Sequence, residues 1–495
     1  MCGFAGFISP HPGGLDGMKA LATRMANTIA HRGPDDAGAW ADARAGVALG
    51  FRRLSIIDLS PAAHQPMVSN DGRFVIAFNG EIYNHLTLRA ELQSAGAALS
   101  WRGHSDTETL LAGFEHWGIK ATLSKTVGMF AMALWDVQER TLHLTRDRFG
   151  EKPLYYGWAG SKAAQAFVFG SELKALRVFP DFGNPVCREA LAQYMRFMVV
   201  PAPRSIYKGV YKLEPGCLLS IRGAAPLAAP ALPLRPPAVY ETLTLSRWWS
   251  FADAVQAGVQ HQITNECEAV ELLEHRLADA VRLQSLADVP LGAFLSGGVD
   301  SSTICSLMQR QASRPVKTFT LGFAEAGFDE SPHALAVAQY LGTDHTELFV
   351  TAHETQAVIS ELPAIYDEPF ADSSQIPTHL VCRAARQQVK VALSGDAGDE
   401  QFGGYNRYFW GPRLWAKLAW LPYPLRQALG AAISTVPVAG WDALSRPVNG
   451  LLPGNLPIVR PGDKAHKLAT RLRLVNSIDE LSVSLLSEWQ DPAQV

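Results

Sequence analysis

The chain is poor in cysteine. Its 495 residues hold six, Cys2, Cys187, Cys217, Cys267, Cys305 and Cys382. They form no CxxC pair and no disulfide-like spacing, which excludes a disulfide framework and fits a reducing, cytoplasmic setting. No apolar run approaches the length needed to span a bilayer, so no membrane association is expected. The opening stretch MCGFAGFISP lacks both a basic n-region and a long apolar h-region, which argues against a signal peptide. Charge of one sign is scarce as well. With 44 Lys and Arg against 47 Asp and Glu the net charge is −3, so bulk attraction to nucleic acid is not expected. A Walker loop of the GxxxxGKS or GxxxxGKT type is missing, which disfavours ordinary P-loop chemistry. No internal repeat is visible.

A chain of 495 residues is too long for one hydrophobic core, and 47% hydrophobic with 18% charged residues is an ordinary globular composition. Residues 223–238, GAAPLAAPALPLRPPA, cannot hold a helix or a central strand and mark a linker or surface excursion. Before them come short apolar runs with turn punctuation: RFVIAFNG, GMFAMALWD, RTLHLTRD and AFVFG. These predict antiparallel strands, interrupted by helices such as HLTLRAELQSAG, where Leu88, Leu92 and Ala95 share a face and Gly96 ends the helix. After them strands alternate with longer helices. Val270, Leu273, Leu277 and Val281 form a helical stripe, and LGAFL, VKTFTLGF and VKVALSG are strand-like. That alternation predicts a parallel sheet with helices on its faces.

Cys2 is the residue with the most chemistry for its position. Removal of Met1 would expose it as an N-terminal amino acid, so one residue would supply a thiol nucleophile and its own α-amine as base. An α-amine titrates around 7.7–8.0, leaving much of it ready to take the thiol proton at neutral pH. Other segments carry polar groups that folding alone does not require. Arg53 lies in FRRLSIID beside an apolar strand, where a salt-bridged edge arginine is the plain alternative. Asn79-Gly80-Glu81 follows RFVIAF, either as a simple turn or as an amide and a backbone N–H that hold an oxyanion. Asp106 in GHSDTE either belongs to a helix cap or meets a substrate ammonium.

Taken in order, Met-Cys-Gly, His31-Arg32-Gly33-Pro34-Asp35, Arg53-Leu54-Ser55, Asn79-Gly80-Glu81-Ile82-Tyr83-Asn84 and Ser105-Asp106 resemble the glutaminase domain of class II amidotransferases. The resemblance implies that Cys2 attacks the glutamine amide and that Asn79 and Gly80 hold the oxyanion. Arg53 would pair with the α-carboxylate and Asp106 with the α-ammonium, with Leu54, Ser55, Ile56, Ile57 and Glu81 completing the glutamine site. A bidentate guanidinium suits a carboxylate, and an aspartate suits an ammonium.

A second loop, Ser296-Gly297-Gly298-Val299-Asp300-Ser301-Ser302, joins a predicted strand to a predicted helix. Such a turn gathers unpaired N–H groups and the positive end of a helix dipole, which bind phosphate; a serine-capped connection is the plain alternative. It resembles the pyrophosphate loop of the ATP pyrophosphatases. Ser394-Gly395-Asp396-Ala397-Gly398-Asp399-Glu400 crowds three carboxylates after another strand, either as a solvated turn or as a cation site. Asp300 and Asp399, at the ends of two parallel strands, would share a Mg²⁺ that bridges ATP phosphates.

The whole resembles the asparagine synthetase B family, with RDRFGEKPLYY from Arg146, GSELKAL from Gly170 and DEPFADSS from Asp367 as further family-like stretches. The resemblance implies an α+β N-terminal-nucleophile hydrolase sandwich, two stacked antiparallel sheets between helices, followed by an α/β parallel-sheet ATP-pyrophosphatase domain. The expected boundaries are 2–216 for the glutaminase, 217–248 for a linker and 249–495 for the second domain. ATP would meet Phe294, Leu295, Ser296, Gly297, Gly298, Asp300, Ser301, Leu321, Ser394 and Gly395. Glu368, Asp372, Ser373 and Ser374 would form the aspartate pocket, and Asp396 would manage protons during ammonia attack.

The implied substrates are glutamine, aspartate and ATP, joined through a cysteinyl thioester and a β-aspartyl-AMP, in a homodimer. Another carboxylate acceptor, such as a sugar acid, and a glutaminase or binding module without synthesis are the competing readings. The family also implies a VPFLD-like stretch, which the sequence lacks, so the second domain is expected to be incomplete at its C-terminal end.

Overall fold

The computed structural model describes residues 2–11, 13–96, 100–161, 165–323, 329–451 and 460–489. The chain divides into two compact units, Met1–Tyr194 with Val199–Gly395, and Met195–Met198 with Asp396–Val495. Among the described residues all the strands belong to the larger unit. Along the chain they are β1 (Gly3–Ile8), β2 (Asp36–Asp42), β3 (Val47–Arg53), β4 (Met67–Val68), β5 (Phe74–Ile82) and β6 (Gly128–Asp136). Next come β7 (Thr141–Arg146), β8 (Tyr155–Ala159), β9 (Ala166–Gly170), β10 (Val210–Lys212), β11 (Cys217–Arg222), β12 (Ala238–Tyr240) and β13 (Leu243–Arg247). The last four are β14 (Leu291–Phe294), β15 (Lys317–Phe323), β16 (Asp344–Val350) and β17 (Val391–Leu393).

The first thirteen strands build two antiparallel sheets, in the orders β10-β8-β9-β1-β3-β2 and β12-β13-β11-β7-β6-β5-β4. They stack face to face. Phe4, Leu49, Phe51 and Phe169 of one meet Ala77, Ala133, Trp135 and Leu144 of the other in a shared core. The outer face of the first sheet is covered by the helix Leu15–Asn27 through Met18, Ala22 and Met25. The outer face of the second carries His85–Ser94 and Asp106–Trp117, with Leu88, Leu110 and Phe114 against Phe74, Ile76 and Phe78. Covering both faces explains why β1, GFAGFI, is buried at every position instead of alternating. This is the expected sandwich between helices.

The expected linker at 217–248 is a correction. Residues 217–222 pair as β11 with β7 and β13, and β12 pairs with β13, so the segment extends the second sheet. CLLSIR and LTLSR place Leu219, Ile221, Leu243 and Leu245 in the core, and that burial outweighs the proline-rich composition between them. The residues between β11 and β12 remain irregular, yet they are tied down. Trp158 Nε1 donates to the Pro226 carbonyl at 2.6 Å, and the Tyr211 hydroxyl to that of Pro230 at 3.0 Å.

The remaining strands form a parallel sheet in the order β16-β15-β14-β17. Ala334 and Ala338 of Ser331–Leu341 and Cys305 and Met308 of Val299–Gln311 pack with Ala293 and Val316 on one face. Ala385 and Leu380 of Gln375–Ala385 meet Phe319 and Val350 in the clusters on the other. The expected stripe on Glu266–Gln284 is half used: Leu277 and Val281 join the core, whereas Val270 and Leu273 are exposed. Considered by itself, the smaller unit is helical. Tyr423–Thr435 and Val438–Leu451 pack on Pro461–Leu474, and Asn406–Leu418 packs on Ile478–Leu485. Among the described residues no helix is long and apolar enough to cross a membrane.

Candidate active site

Cys2, Asn79 and Gly80 line one pocket at an end of the sandwich, a space of about 500 Å³ free of protein atoms and partly open to solvent. Asn79-Gly80 is a common turn dipeptide, but here it stays inside β5, in register with Ala131 and Phe130 of β6. A side chain at Gly80 would stand 2.2 Å from the Met129 carbonyl oxygen and 2.6 Å from Phe130 Cα, so the cross-strand contact alone requires glycine.

The register also aims the backbone. Phe130 gives both of its main-chain groups to Asp147, its N–H to Oδ2 at 3.1 Å and its carbonyl to the Asp147 N–H at 2.8 Å. Phe130 and Gly80 are therefore a non-hydrogen-bonded pair, and the N–H groups of Phe78, Gly80 and Ile82 point to the opposite edge of β5. Phe78 N–H finds Gln65 Oε1 at 2.7 Å, and Ile82 N–H finds Asp106 Oδ2 at 2.8 Å. Gly80 N–H lies between them and is directed into the pocket. The Asn79 side chain is fully buried, and neither its Nδ2 nor its Oδ1 has a protein partner. An unpartnered buried amide costs free energy, which a ligand in the pocket would recover.

Charges of both signs line this pocket. Arg53 donates to the backbone carbonyls of Ser60 (3.3 Å), Ile57 (3.5 Å) and Asp58, and no carboxylate pairs with it among the described residues. The edge salt bridge that was its plain alternative does not form. Asp106 is buried, accepts the N–H groups of Ile82 and Thr107, and its carboxyl is raised by burial. Glu81, also in the pocket with an unpartnered Oε1, is pushed up to about 7 by burial and by Asp106. The Cys2 thiol is likewise raised by burial, against the opposing pull of the Leu54 N–H and Arg53. A thiol held neutral in this way needs a base. Of the remaining glutamine-site candidates, Leu54, Ile56 and Ile57 line the pocket, whereas Ser55 does not and instead binds Asp35 through its N–H at 2.8 Å.

Several residues here were not nominated from sequence. Lys152 lines the pocket, its ammonium lowered by burial, and it arrives on a loop gathered by Asp147, which accepts the N–H groups of Phe149, Glu151 and Lys152. Gln65 and Thr107 join it. Arg32 donates from Nε to the Cys2 carbonyl at 3.0 Å and from Nη1 to Glu172 at 2.6 Å, which pins the nucleophile's own backbone. The HRGP and RDRFG stretches are signals for these roles, although nothing local says which residue reaches the pocket.

The second loop follows β14. Phe294 ends the strand, and the buried Leu295 hydrogen-bonds through its N–H to the Phe319 carbonyl. Gly297 has φ +82°, and a side chain there would stand 2.8 Å from the Ala334 nitrogen and from the His333 carbonyl carbon. Ser296 and Ser301 join their hydroxyls at 2.9 Å and so brace the turn. The helix Val299–Gln311 has Gly298 at its N-cap and no side-chain cap, leaving its first-turn N–H groups for another acceptor. Asp300 lies in that first turn, and Ser302 Oγ is buried without a partner. Gly395, after β17, packs 2.7 Å from the Ser301 nitrogen at the position a side chain would take. The loops 296–301 and 394–395 thus meet at the carboxyl ends of neighbouring parallel strands, where open α/β sheets bind ligands. Leu321 lies within β15 beside the cluster of Val350, Val358 and Leu380.

The DEPFADSS segment is split. Asp372, Ser373 and Ser374 form an accessible turn ahead of Gln375–Ala385, with the Ser374 N–H on Asp372 Oδ1 at 2.8 Å. Glu368 is used elsewhere: its carboxylate holds the Ile206 N–H at 2.7 Å, the Lys212 ammonium and the Tyr155 hydroxyl at 3.4 Å, all in the sandwich. Asp396 and Asp399 belong to the smaller unit, where Asp399 lies in the first turn of the short helix Gly398–Phe402, which follows Ala397 in a left-handed conformation, φ +71°. Among the described residues no three His, Cys, Asp or Glu side chains gather as a metal cage. A carboxylate such as Asp300 at a phosphate-type loop fits Mg²⁺, which takes one or two carboxylates and fills its shell with phosphate oxygens and water.

Comparison with known proteins agrees with this two-part arrangement. Residues 1–227 match the family model described as a glutamine amidotransferase domain, and residues 272–492 match that described as asparagine synthase. A Mycobacterium tuberculosis protein assigned as a glutamine-hydrolysing asparagine synthetase is 38% identical over 455 residues, covering 88% of this chain and 65% of the relative. Glutamine-hydrolysing asparagine synthetase 1 of Bacillus subtilis is 37% identical, covering 82% and 59%. A Methanocaldococcus jannaschii protein assigned as the second such synthetase is 33% identical, covering 84% and 77%. The cysteine pocket lies in the stretch matched by the first model, and the parallel sheet with its glycine-rich loop in the stretch matched by the second. The chain belongs to the glutamine-hydrolysing asparagine synthetase family. It spans 65% and 59% of the length of the first two relatives.

Proposed function

We propose that the protein makes asparagine from aspartate and ATP with ammonia taken from glutamine. The observation that carries the first half is the buried, unpartnered Asn79 amide in one pocket with Gly80 and the Cys2 thiol. Glutamine would lie with its α-carboxylate on Arg53 and its α-ammonium between Asp106 and Glu81. Cys2 Sγ attacks the side-chain amide carbon while its α-amine, freed by loss of Met1, takes the thiol proton. The oxyanion that develops falls to Asn79 and Gly80, and preorganised donors of this kind lower a barrier without reorganising. The amine then returns the proton to the departing nitrogen, leaving a glutamyl thioester and ammonia. Water hydrolyses the thioester to glutamate.

For the second half, ATP would lay its phosphates on the 296–301 loop and the free N–H groups of Val299–Gln311, with Asp300 toward Mg²⁺. Magnesium would neutralise phosphate charge. The β-carboxylate of aspartate attacks the α-phosphorus and expels pyrophosphate, and ammonia then displaces AMP. Gly395 keeps the neighbouring loop close enough to complete the nucleotide site.

The test is to incubate protein whose initiator methionine is confirmed absent by mass with glutamine, ATP, Mg²⁺ and aspartate. Glutamate, pyrophosphate and asparagine should appear in matched amounts. Glutamate without pyrophosphate or asparagine would remove the synthetase half of the reading.

A further inference from the structure

The segment 53–58, which forms one wall of the cysteine pocket, is fastened at two points to the starts of two neighbouring parallel strands, β14 and the edge strand β17. At the first, Lys390 precedes β17 and donates from Nζ to Asp35 Oδ2 at 2.8 Å and to the Ser55 carbonyl at 3.4 Å. The same Asp35 oxygen accepts the Ser55 N–H at 2.8 Å, so one Lys–Asp pair grips both main-chain groups of Ser55. At the second, Asp288 precedes β14. It gives its N–H to the Ile56 carbonyl at 2.9 Å and accepts the Asp58 N–H at 2.7 Å and His104 Nε2 at 2.7 Å on Oδ2. The Lys390 N–H reaches the Pro290 carbonyl at 3.0 Å and joins the two fastenings.

The far ends of the same strands carry the nucleotide loops. β14 and β17 are four and three residues long, so only about 10–13 Å of hydrogen-bonded strand separates the fastenings from 296–301 and 394–395. At the other end Leu54, inside the fastened segment, directs its N–H at Cys2 Sγ from 3.3 Å. Stability does not account for this arrangement. The Lys390 and Asp35 side chains are 25% and 27% exposed, and pairs this accessible contribute little to folding. Their distinguishing property is position, because Asp35 belongs to the HRGPD stretch and no step at the cysteine uses it.

We propose that Lys390 is a positioning residue which, through Asp35 and Ser55, locks the pocket wall 53–58 to the strands bearing the nucleotide loops, so that ATP at one end alters glutamine binding at the other. The inference rests on the glutaminase and nucleotide sites proposed above. A short strand within a sheet does not stretch, so a loop that moves onto phosphate carries the strand start with it. Lys390 passes that displacement to the wall that Arg53 and Leu54 share with glutamine. By linkage, glutamine alters ATP affinity by the same factor.

The experiment measures KM and kcat for glutamine hydrolysis with and without Mg-ATP, no acceptor present, in the native chain, Lys390→Arg and Lys390→Met. The native chain and Lys390→Arg should show KM shifted by ATP at least about threefold, while Lys390→Met still hydrolyses glutamine but no longer responds. A native KM indifferent to ATP, or a Lys390→Met protein with the native response, overturns the inference. Should Lys390→Met fail to fold, Asp35→Asn replaces it, since the amide keeps an acceptor for the Ser55 N–H. A native chain that hydrolyses no glutamine refutes the proposed function instead. In that case hydrogen exchange at 53–58 decides: a change on adding ATP supports the fastening, and no change overturns it.

Discussion

Leu54 presents its backbone N–H to Cys2 Sγ at 3.3 Å, and the thiol faces the Leu54 carbonyl at 3.5 Å. The sulfur is thus held by main chain, which no side-chain substitution at Leu54 removes. A thiol donates to the carbonyl and a thiolate accepts from the N–H, so the same residue serves both protonation states.

Cys2→Ala should therefore abolish glutamine hydrolysis without disturbing the sandwich, and should leave any synthesis from added ammonia intact. In the native chain, kcat/KM for glutamine should climb as pH rises through the α-amine range, about 7.7–8.0. Glutamine hydrolysis retained by Cys2→Ala would remove the nucleophile.

Asn79→Ala takes away one of the two donors proposed for the oxyanion. The expected loss is about 10²–10³ in kcat, with little change in KM, because the donor acts on charge that develops only in the transition state. The Tm should not fall, since the amide has no partner in the free protein to lose. A variant that loses KM alone would mean that Asn79 binds ground-state glutamine instead.

Glu81 gives a pH signature. Burial, together with Asp106, raises its carboxyl to about 7 from the ordinary 4.5. The folded protein therefore holds a proton that the unfolded chain has released between about pH 4.5 and 7, and stability falls as pH rises through that window. Glu81→Gln should flatten this fall, seen as a higher Tm than the native chain at pH 8. Glutamine binding runs the other way: KM should rise below pH 7 as the carboxylate that faces the ammonium is protonated. Identical Tm profiles for both proteins between pH 5 and 8 would refute the assignment.

Glu368→Ala tests where that carboxylate works. Its partners Lys212 and Tyr155 lie in the sandwich, and Lys212 would be left as a largely buried, uncompensated cation. A loss of about 3 kcal/mol in denaturant unfolding is expected, with KM for the acceptor unchanged in the protein that remains folded. A raised acceptor KM at unaltered stability would return Glu368 to the substrate pocket.

Gly297→Ala should disable the nucleotide half while sparing the glutaminase. A methyl group there meets backbone of the Ser331–Leu341 helix at 2.8 Å, and φ of +82° is unfavourable for any side chain. ATP binding measured by calorimetry should vanish, and glutamine hydrolysis without ATP should persist.

Much of the first site was legible because its residues sit in short, ordered motifs. Cys2, Arg53, Asn79, Gly80 and Asp106 are gathered in one pocket, as the resemblance implied. What could not be read was register. Asn79-Gly80 has the composition of a turn, and only pairing with β6 keeps it extended and aims the glycine N–H outward. Lys152, Gln65 and the Lys390–Asp35 pair were hidden because each reaches its place through chain distant in sequence. The Lys212 and Tyr155 contacts of Glu368 were hidden too, because an acidic motif looks the same whether it faces a substrate or a lysine. The segment from 217 differs for another reason: its proline-rich stretch has the composition of a linker, whereas the short strands on either side bury their leucines in the sandwich.

That segment has a practical side. The chain between β11 and β12 leaves the second sheet and returns to it, so it is a loop of the sandwich and not a leash between bodies. A protease that nicked the alanine- and proline-rich excursion would cut the polypeptide and separate nothing. β13 would stay hydrogen-bonded to β11 across the break, giving two bands on a denaturing gel and one undivided particle on gel filtration.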